Sequence, residues 1–131
     1  MQNTLGRMVL LVKDYDEAFS FYETALGFKK IFETTTPNGQ RFLHIAPQTG
    51  DATGIWFLQA QTPADLQLVG KQTGGHPTFV LYTDSFEELH QQLISHQVRI
   101  TKAPQTTPEY QFLHFLDLYG NEIILVQLNQ S

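Results

Sequence analysis

The stretch MVLLVKDYDEAFSFYETALGF, residues 8–28, decides the fold. Its apolar beginning, residues 8–12, predicts a short buried strand, and Asp14 with Glu17 has the spacing of a helix capping box. The apolar residues that follow recur at helical spacing, and Gly27 stands where a left-handed C-cap is expected. The stretch therefore predicts a strand that leads directly into a capped, core-facing helix.

The same order of elements occurs a second time. An apolar run, residues 79–82, is followed by Asp84 and Glu87 at capping-box spacing and then by a helix. The helix should end near Gln97, which stands where the first copy has Gly27, and a residue other than glycine carries a conformational cost there. Three strand-like runs follow each helix: residues 29–35, 41–46 and 55–59, then 99–102, 111–116 and 122–128. The tripeptide Phe-Leu-His at 42–44 recurs at 112–114. We therefore predict an α+β fold of tandem βαβββ modules.

The modules should cover residues of about 5–59 and 76–129, within one domain of residues 1–131. The joint, residues 60–75, is rich in glycine and has room for one helical turn within residues 64–69.

Composition excludes several classes of function. The net charge of −5 argues against nucleic acid or an anionic membrane as a partner. The chain has no cysteine, which excludes disulfides, thiolate metal sites and a cysteine nucleophile. No apolar run approaches the ~18 residues of a membrane span, and the amino terminus does not resemble a signal peptide. The default expectation is a cytoplasmic protein.

Three stretches resemble the vicinal oxygen chelate superfamily, which includes glyoxalase I, extradiol dioxygenases and bleomycin-binding proteins. Residues 11–28 are similar to its opening strand, helix and "FY…LGF" signature. The stretch FLDLYGN, residues 115–121, is similar to its "F-x-D-P-x-G-N" turn, with Leu118 in place of proline. Residues 72–75, QTGG, look like the joint of an uncharacterised branch. The resemblance implies a curved mixed sheet whose concave face forms a ligand cup, and a homodimer.

Enzymes of this superfamily hold a divalent metal with histidine and glutamate from particular strand positions. The resemblance places the first-strand ligand at Arg7 and the last-strand ligand at Ile124, and neither side chain can bind a metal. In the second module the first-strand position falls on Pro77 or Thr78, with His76 beside it. We therefore predict no metal and no cofactor.

The same positions suggest how a ligand would be held. A guanidinium at Arg7 would bind a carboxylate or phosphate, although an exposed arginine or an internal ion pair is equally consistent with the sequence. The repeat places His44 and His114 on the same side of matching strands, but alternation does not decide which side that is. The candidate ligand-binding residues are Arg7, His44, Trp56, His76, Tyr110 and His114.

The sequence thus indicates a protein of the glyoxalase and bleomycin-resistance type that binds a small organic molecule, anionic if Arg7 is its contact, in a metal-free cup. The alternative is a metal-dependent lyase of the lactoylglutathione lyase type, or a dioxygenase-type enzyme, with an unusual ligand set. Glu122 lies two residues before Ile124, so it could be the last-strand ligand only if that strand were shifted by two residues. Whether the protein is an enzyme stays open at this stage.

Overall fold

A computed structural model describes residues 1–51 and 53–129 of the chain. Its elements follow the predicted βαβββ order twice: β1 Arg7–Val12, α1 Tyr15–Leu26, β2 Lys29–Thr35, β3 Arg41–Ala46, β4 Gly54–Gln59, α2 Pro63–Leu68, β5 Phe79–Tyr82, α3 Phe86–Ser95, β6 Ile100–Thr106, β7 Tyr110–Leu116 and β8 Glu122–Leu128. The chain divides into two compact units, Met1–Leu68 and Val69–Ser131. The predicted α+β fold of tandem modules is confirmed.

The first unit contains a four-stranded mixed sheet in the order β1-β4-β3-β2. β1 runs parallel to β4, and the other two pairs are antiparallel. On one face, Leu43 and Ile45 of β3 and Phe57 of β4 are fully buried. The ring of Tyr22 from α1 lies 5.7 Å from the ring of Phe57, so this face carries the helix. The core of the first unit therefore lies between α1 and one face of the sheet.

The second unit repeats this arrangement with the strand order β5-β8-β7-β6. β5 is parallel to β8, and the remaining pairs are antiparallel. Leu113, Phe115, Ile123 and Leu125 are fully buried, as is Leu93 of α3. Because alternate residues of a strand point to opposite faces, His114 and Ile124 lie on the other face of this sheet.

The first helix has the predicted caps. The Asp14 carboxylate accepts a hydrogen bond from the Glu17 amide at 2.7 Å, which satisfies one of the free donors of the first turn. Gly27 has a φ of 74° and donates to the Glu23 carbonyl at 2.9 Å. The strand-to-helix stretch that decides the fold is therefore closed at both ends as its sequence predicts.

The second capping-box prediction is wrong. α3 begins one residue later than Asp84 would require, and its N-cap residue, Ser85, makes no side-chain capping bond. The amide of Phe86 instead donates to Oε1 of Gln127, in β8, at 2.8 Å. A side chain 41 residues away satisfies this helix end, and local spacing cannot reveal such a partner. At the other end, Gln97 has a φ of 58°, which confirms the predicted left-handed position without glycine.

The predicted strand at residues 99–102 is too short, because β6 continues to Thr106 and includes Pro104. Its pairing with β7 is irregular between Lys102 and Gln105. β6 is an edge strand, where proline is tolerated because one side of the strand has no ladder to donate to. Within residues 1–51 and 53–129, none of the helices has the length and apolar character that a membrane span requires.

A tight turn leads into β8. The carboxylate of Asp117, which is buried, accepts hydrogen bonds from the amides of Tyr119 and Asn121, each at 2.9 Å. Gly70, with a φ of 80°, packs against this turn so closely that a Cβ atom there would lie 2.0 Å from the Tyr119 carbonyl oxygen. The segment before β5 and the turn before β8 are therefore fitted to each other at a backbone contact.

Candidate functional site

A cavity of the second unit lies on the face of its sheet opposite α3. We call the sheet face opposite α1 in the first unit, and opposite α3 in the second, the open face of that unit. The cavity has a volume of about 330 Å³. Its lining comes from β5, β7 and β8 and consists of Val80, Tyr82, Tyr110, Phe112, His114, Ile124, Val126 and Leu128. We refer to it as the second-module pocket.

Rings form one wall of the second-module pocket. The ring centroids of Tyr110 and Phe112 are 5.5 Å apart, and those of Phe112 and His114 are 5.8 Å apart. The ammonium of Lys102 lies 5.5 Å from the Phe112 centroid, so a cation stands beside the row of rings. Tyr82 is 66% exposed. Exposed apolar surface gathered in one concave place is typical of a binding site.

The imidazole of His114 is the polar group at one end of this row. Its Nδ1 lies 3.5 Å from Oε2 of Glu122, the first residue of β8. The same carboxylate oxygen accepts a hydrogen bond from the hydroxyl of Thr101 at 3.0 Å. Glu122 shares a face with Ile124 because the two are separated by two positions in one strand. The carboxylate is therefore held in place beside the histidine.

The open face of the first sheet brings three predicted residues together. Nε of Arg7 donates to Nδ1 of His44 at 3.0 Å, and Nη1 of Arg7 donates to the Gly6 carbonyl at 2.8 Å. His44 is the direct cross-strand partner of Trp56, with ring centroids 5.5 Å apart. The Phe32 ring lies 5.1 Å from the imidazole on another side.

Burial is the main reason that the pKa of His44 is below its ordinary value, and the charge of Arg7 lowers the pKa further. Nε2 of His44 is buried and has no hydrogen-bond partner among the described residues. A buried ring nitrogen without a partner is unusual and costly. The first unit therefore holds a buried imidazole nitrogen without a partner among the described residues.

The structure thus places the six predicted residues in three places. Arg7, His44 and Trp56 lie together in the first unit, whereas Tyr110 and His114 line the second-module pocket. The exposed His76 lies in the loop before β5, and its backbone bonds to Thr73.

Sequence reasoning missed Phe112, Tyr82 and the aliphatic residues of the pocket. The available signal was the position of Phe112, two residues before His114 and thus on the same face of β7. The sequence did not show whether that face carried the helix, because both sides of the strand are apolar.

A second cavity, in the first unit, is polar and has a volume of about 620 Å³; it is lined by Tyr15, Asn38, Gly39, Gln40, Arg41, Leu58, Gln59 and Gln61. Its cation, Arg41, bonds to Asp16 at 2.8 Å and to Glu33 at 2.6 Å. Hydrogen bonds from Arg41 are the first cause of the lowered pKa of both carboxyl groups. With its guanidinium already paired twice, this cavity is a poorer candidate for binding an anion.

The donor set does not fit the metal of the superfamily's enzymes. The resemblance assigns two of the ligand positions to Arg7 and Ile124, and a guanidinium and an alkyl group cannot coordinate. His114 and Glu122 are one imidazole and one carboxylate, fewer than the three protein ligands of a typical catalytic site. In the part of the chain that the structure describes, no group of three or more His, Cys, Asp or Glu side chains could hold a metal ion.

Comparison with known proteins places the chain in a family. The model of the Glyoxalase/Bleomycin resistance protein/Dioxygenase superfamily matches residues 4–125, so the chain belongs to that superfamily. An uncharacterized protein of Shewanella frigidimarina (strain NCIMB 400) is 29% identical over 132 residues, which cover 100% of this chain and 98% of that protein.

Solved structures share the fold. UcmS2 matches with a TM-score of 0.81 and 21% identity, over 96% of this chain and 98% of its own. TnmS3, an antibiotic binding protein from Streptomyces sp. CB03234, matches with a TM-score of 0.79 and 24% identity, over 98% of both chains. A superfamily member from Sphaerobacter thermophilus DSM 20745 matches with a TM-score of 0.73 and 25% identity, over 96% of this chain and 98% of its own.

Proposed function

We propose that the protein binds a small organic molecule with apolar rings in the second-module pocket, without a metal. The observation that carries the proposal is the row of Tyr110, Phe112 and His114 along a cavity of about 330 Å³. Ligand pockets in proteins have volumes of about 300–1,000 Å³, so this one suits a compact ligand of a few fused rings.

The chemistry of the lining supports this choice of ligand. Aromatic rings favour offset or edge-on contact with other rings, and the aliphatic residues of β5 and β8 supply the remaining apolar surface. The similarity to TnmS3, an antibiotic binding protein, concerns the fold and is compatible with a binding role. The ring-lined cavity itself is what argues for a ring-bearing ligand.

The other predicted residues remain part of the proposal. We assign Arg7 to an anionic group of a ligand and Trp56 to ring contact, on the open face of the first sheet, with His44 in contact with both. His76 is proposed as a further polar contact near the start of β5. We also propose a homodimer, for which a mass in solution near that of two chains is the expected result.

A metal-dependent lyase or dioxygenase is the second candidate, and the pair of His114 and Glu122 is the observation in its favour. Elemental analysis of protein purified without chelator separates the two candidates. We expect no stoichiometric Zn, Ni, Fe or Mn. A stoichiometric metal that is lost in His114→Ala would support the enzyme and contradict the metal-free proposal.

The binding proposal is tested with naphthalene and naphthol as probes, by calorimetric titration. Phe112→Ala removes a ring from the pocket wall, and ring contacts of this kind contribute about 0.5–1.5 kcal/mol, so naphthol affinity should fall about fivefold. Phe19→Ala, which removes a half-buried ring of α1 that contacts Lys30, is the control and should leave the affinity unchanged. Equal affinity in the wild type and Phe112→Ala would contradict the proposal.

A further inference from the structure

The two histidines of the repeated Phe-Leu-His tripeptide lie beside partners of opposite charge. A guanidinium has N–H donors and no acceptor. Because Arg7 donates to Nδ1 of His44, that nitrogen presents its lone pair, and the proton of the neutral imidazole is on Nε2. The first-module histidine therefore offers an N–H donor at its remaining nitrogen.

The second-module histidine faces a carboxylate instead. An ionised carboxylate only accepts hydrogen bonds, and its negative charge repels a lone pair. The 3.5 Å approach of Glu122 to Nδ1 of His114 therefore favours the proton on Nδ1. Thr101 donates to the same oxygen and keeps it in position. The nitrogen of His114 that remains for a ligand, Nε2, is then an acceptor.

Rings and one cation also lie beside His114. Among the described residues near it, Tyr110 and Phe112 are rings of the pocket wall, and Lys102 is its cross-strand partner in β6. The Lys102 ammonium lies over the Phe112 ring.

We propose that the second-module pocket selects ring compounds that carry a hydroxyl group, whose O–H donates to Nε2 of His114, whereas the equivalent His44 has the opposite polarity, with its proton on Nε2. This inference rests on the proposed function, since it names the class of ligand for the same pocket. A ring compound of similar shape without the hydroxyl would leave Nε2 without a donor. Sites built around one hydrogen bond reject such analogues.

The first test is the position of the two protons, which needs no ligand. Nitrogen chemical shifts at about pH 8, where an ordinary imidazole is neutral, distinguish the tautomers. We expect His114 to be protonated on Nδ1 and His44 on Nε2. Glu122→Gln replaces the carboxylate with an amide that can also donate, so the Nδ1–H form of His114 should lose its predominance while His44 is unchanged. A wild-type His114 protonated on Nε2 would overturn the inference.

The second test compares naphthol with its methyl ether and with naphthalene, by calorimetry at the same pH. We expect the wild type to prefer naphthol over the ether by about tenfold, which corresponds to about 1.4 kcal/mol. His114→Phe keeps a ring in the wall and should lose this preference, and Glu122→Gln should reduce it to less than about threefold.

The two proposals fail in different ways. If naphthol and its ether bind the wild type equally and both respond to Phe112→Ala, the hydroxyl selection is wrong and the ring pocket stands. If none of the three compounds shows saturable binding, the proposed function itself is contradicted.

Discussion

Gly70→Ala should destabilise the second unit strongly, because Gly70 supports the turn that leads into β8. Alanine at a φ of 80° is in the left-handed region, which costs about 1–2 kcal/mol. The new Cβ would lie 2.0 Å from the Tyr119 carbonyl oxygen, whereas real Cβ atoms essentially never come within 3.0 Å, so backbone must move. Forced shifts of this kind cost about 1–3 kcal/mol, which brings the expected loss to about 2–5 kcal/mol.

Gly74→Ala is the matched control. Gly74 has a φ of 67° but nothing within 4 Å of the added Cβ, so only the left-handed cost of about 1–2 kcal/mol applies. Trp56 is the only tryptophan and lies in the first unit, so amides of the second unit report this change more directly. Hydrogen exchange of the β7 and β8 amides, with urea unfolding followed by circular dichroism, measures it. If Gly70→Ala costs no more than Gly74→Ala, the close contact with Tyr119 does not exist.

Two further predictions concern the first module and its repeat. The lowered pKa of His44 means that its contribution to stability is complete above the ordinary value of 6.5 and is lost as pH falls through the lowered pKa. Arg7→Gln should raise the pKa of His44 in an NMR titration, whereas the control Arg99→Gln should not; an unchanged pKa in Arg7→Gln would contradict the contact between Arg7 and His44. Asp14→Ala should cost about 1 kcal/mol in urea unfolding and Ser85→Ala less than about 0.5 kcal/mol, because only Asp14 makes a capping bond; equal losses would refute this difference.

The sequence predicted the features that depend on neighbouring residues. Strand, capped helix and three strands recur in order, and their limits agree with the structure to within about two residues, the usual uncertainty of helix and strand ends, except for β6. The extension of β6 escaped prediction because Pro104 argues against a strand unless the strand is known to lie at an edge.

The site was harder to predict because its contacts are long-range. The sequence could not show which face His44 takes, since Leu43 and Ile45 are as apolar as Phe42 and Ala46. Leu43 and Ile45 are in fact buried, and the open face is apolar as well.

The partner of His44 is Arg7, 37 residues earlier in the chain. The two side chains come within reach because β1 and β3 are the two neighbours of β4 in the sheet. In the second module, Glu122 reaches His114 through the β7–β8 pairing. Strand order therefore decides the polarity of each histidine, and local patterns contain no information about it.

The central claim is that the ring-lined face of the second sheet binds a small organic molecule. The most direct measurement is the position of bound naphthol, from NMR contacts between its protons and the aromatic protons of the protein. We predict contacts with Tyr82, Tyr110 and Phe112, the rings that line the pocket. Contacts confined to Tyr15, beside the polar cavity of the first unit, would contradict the claim.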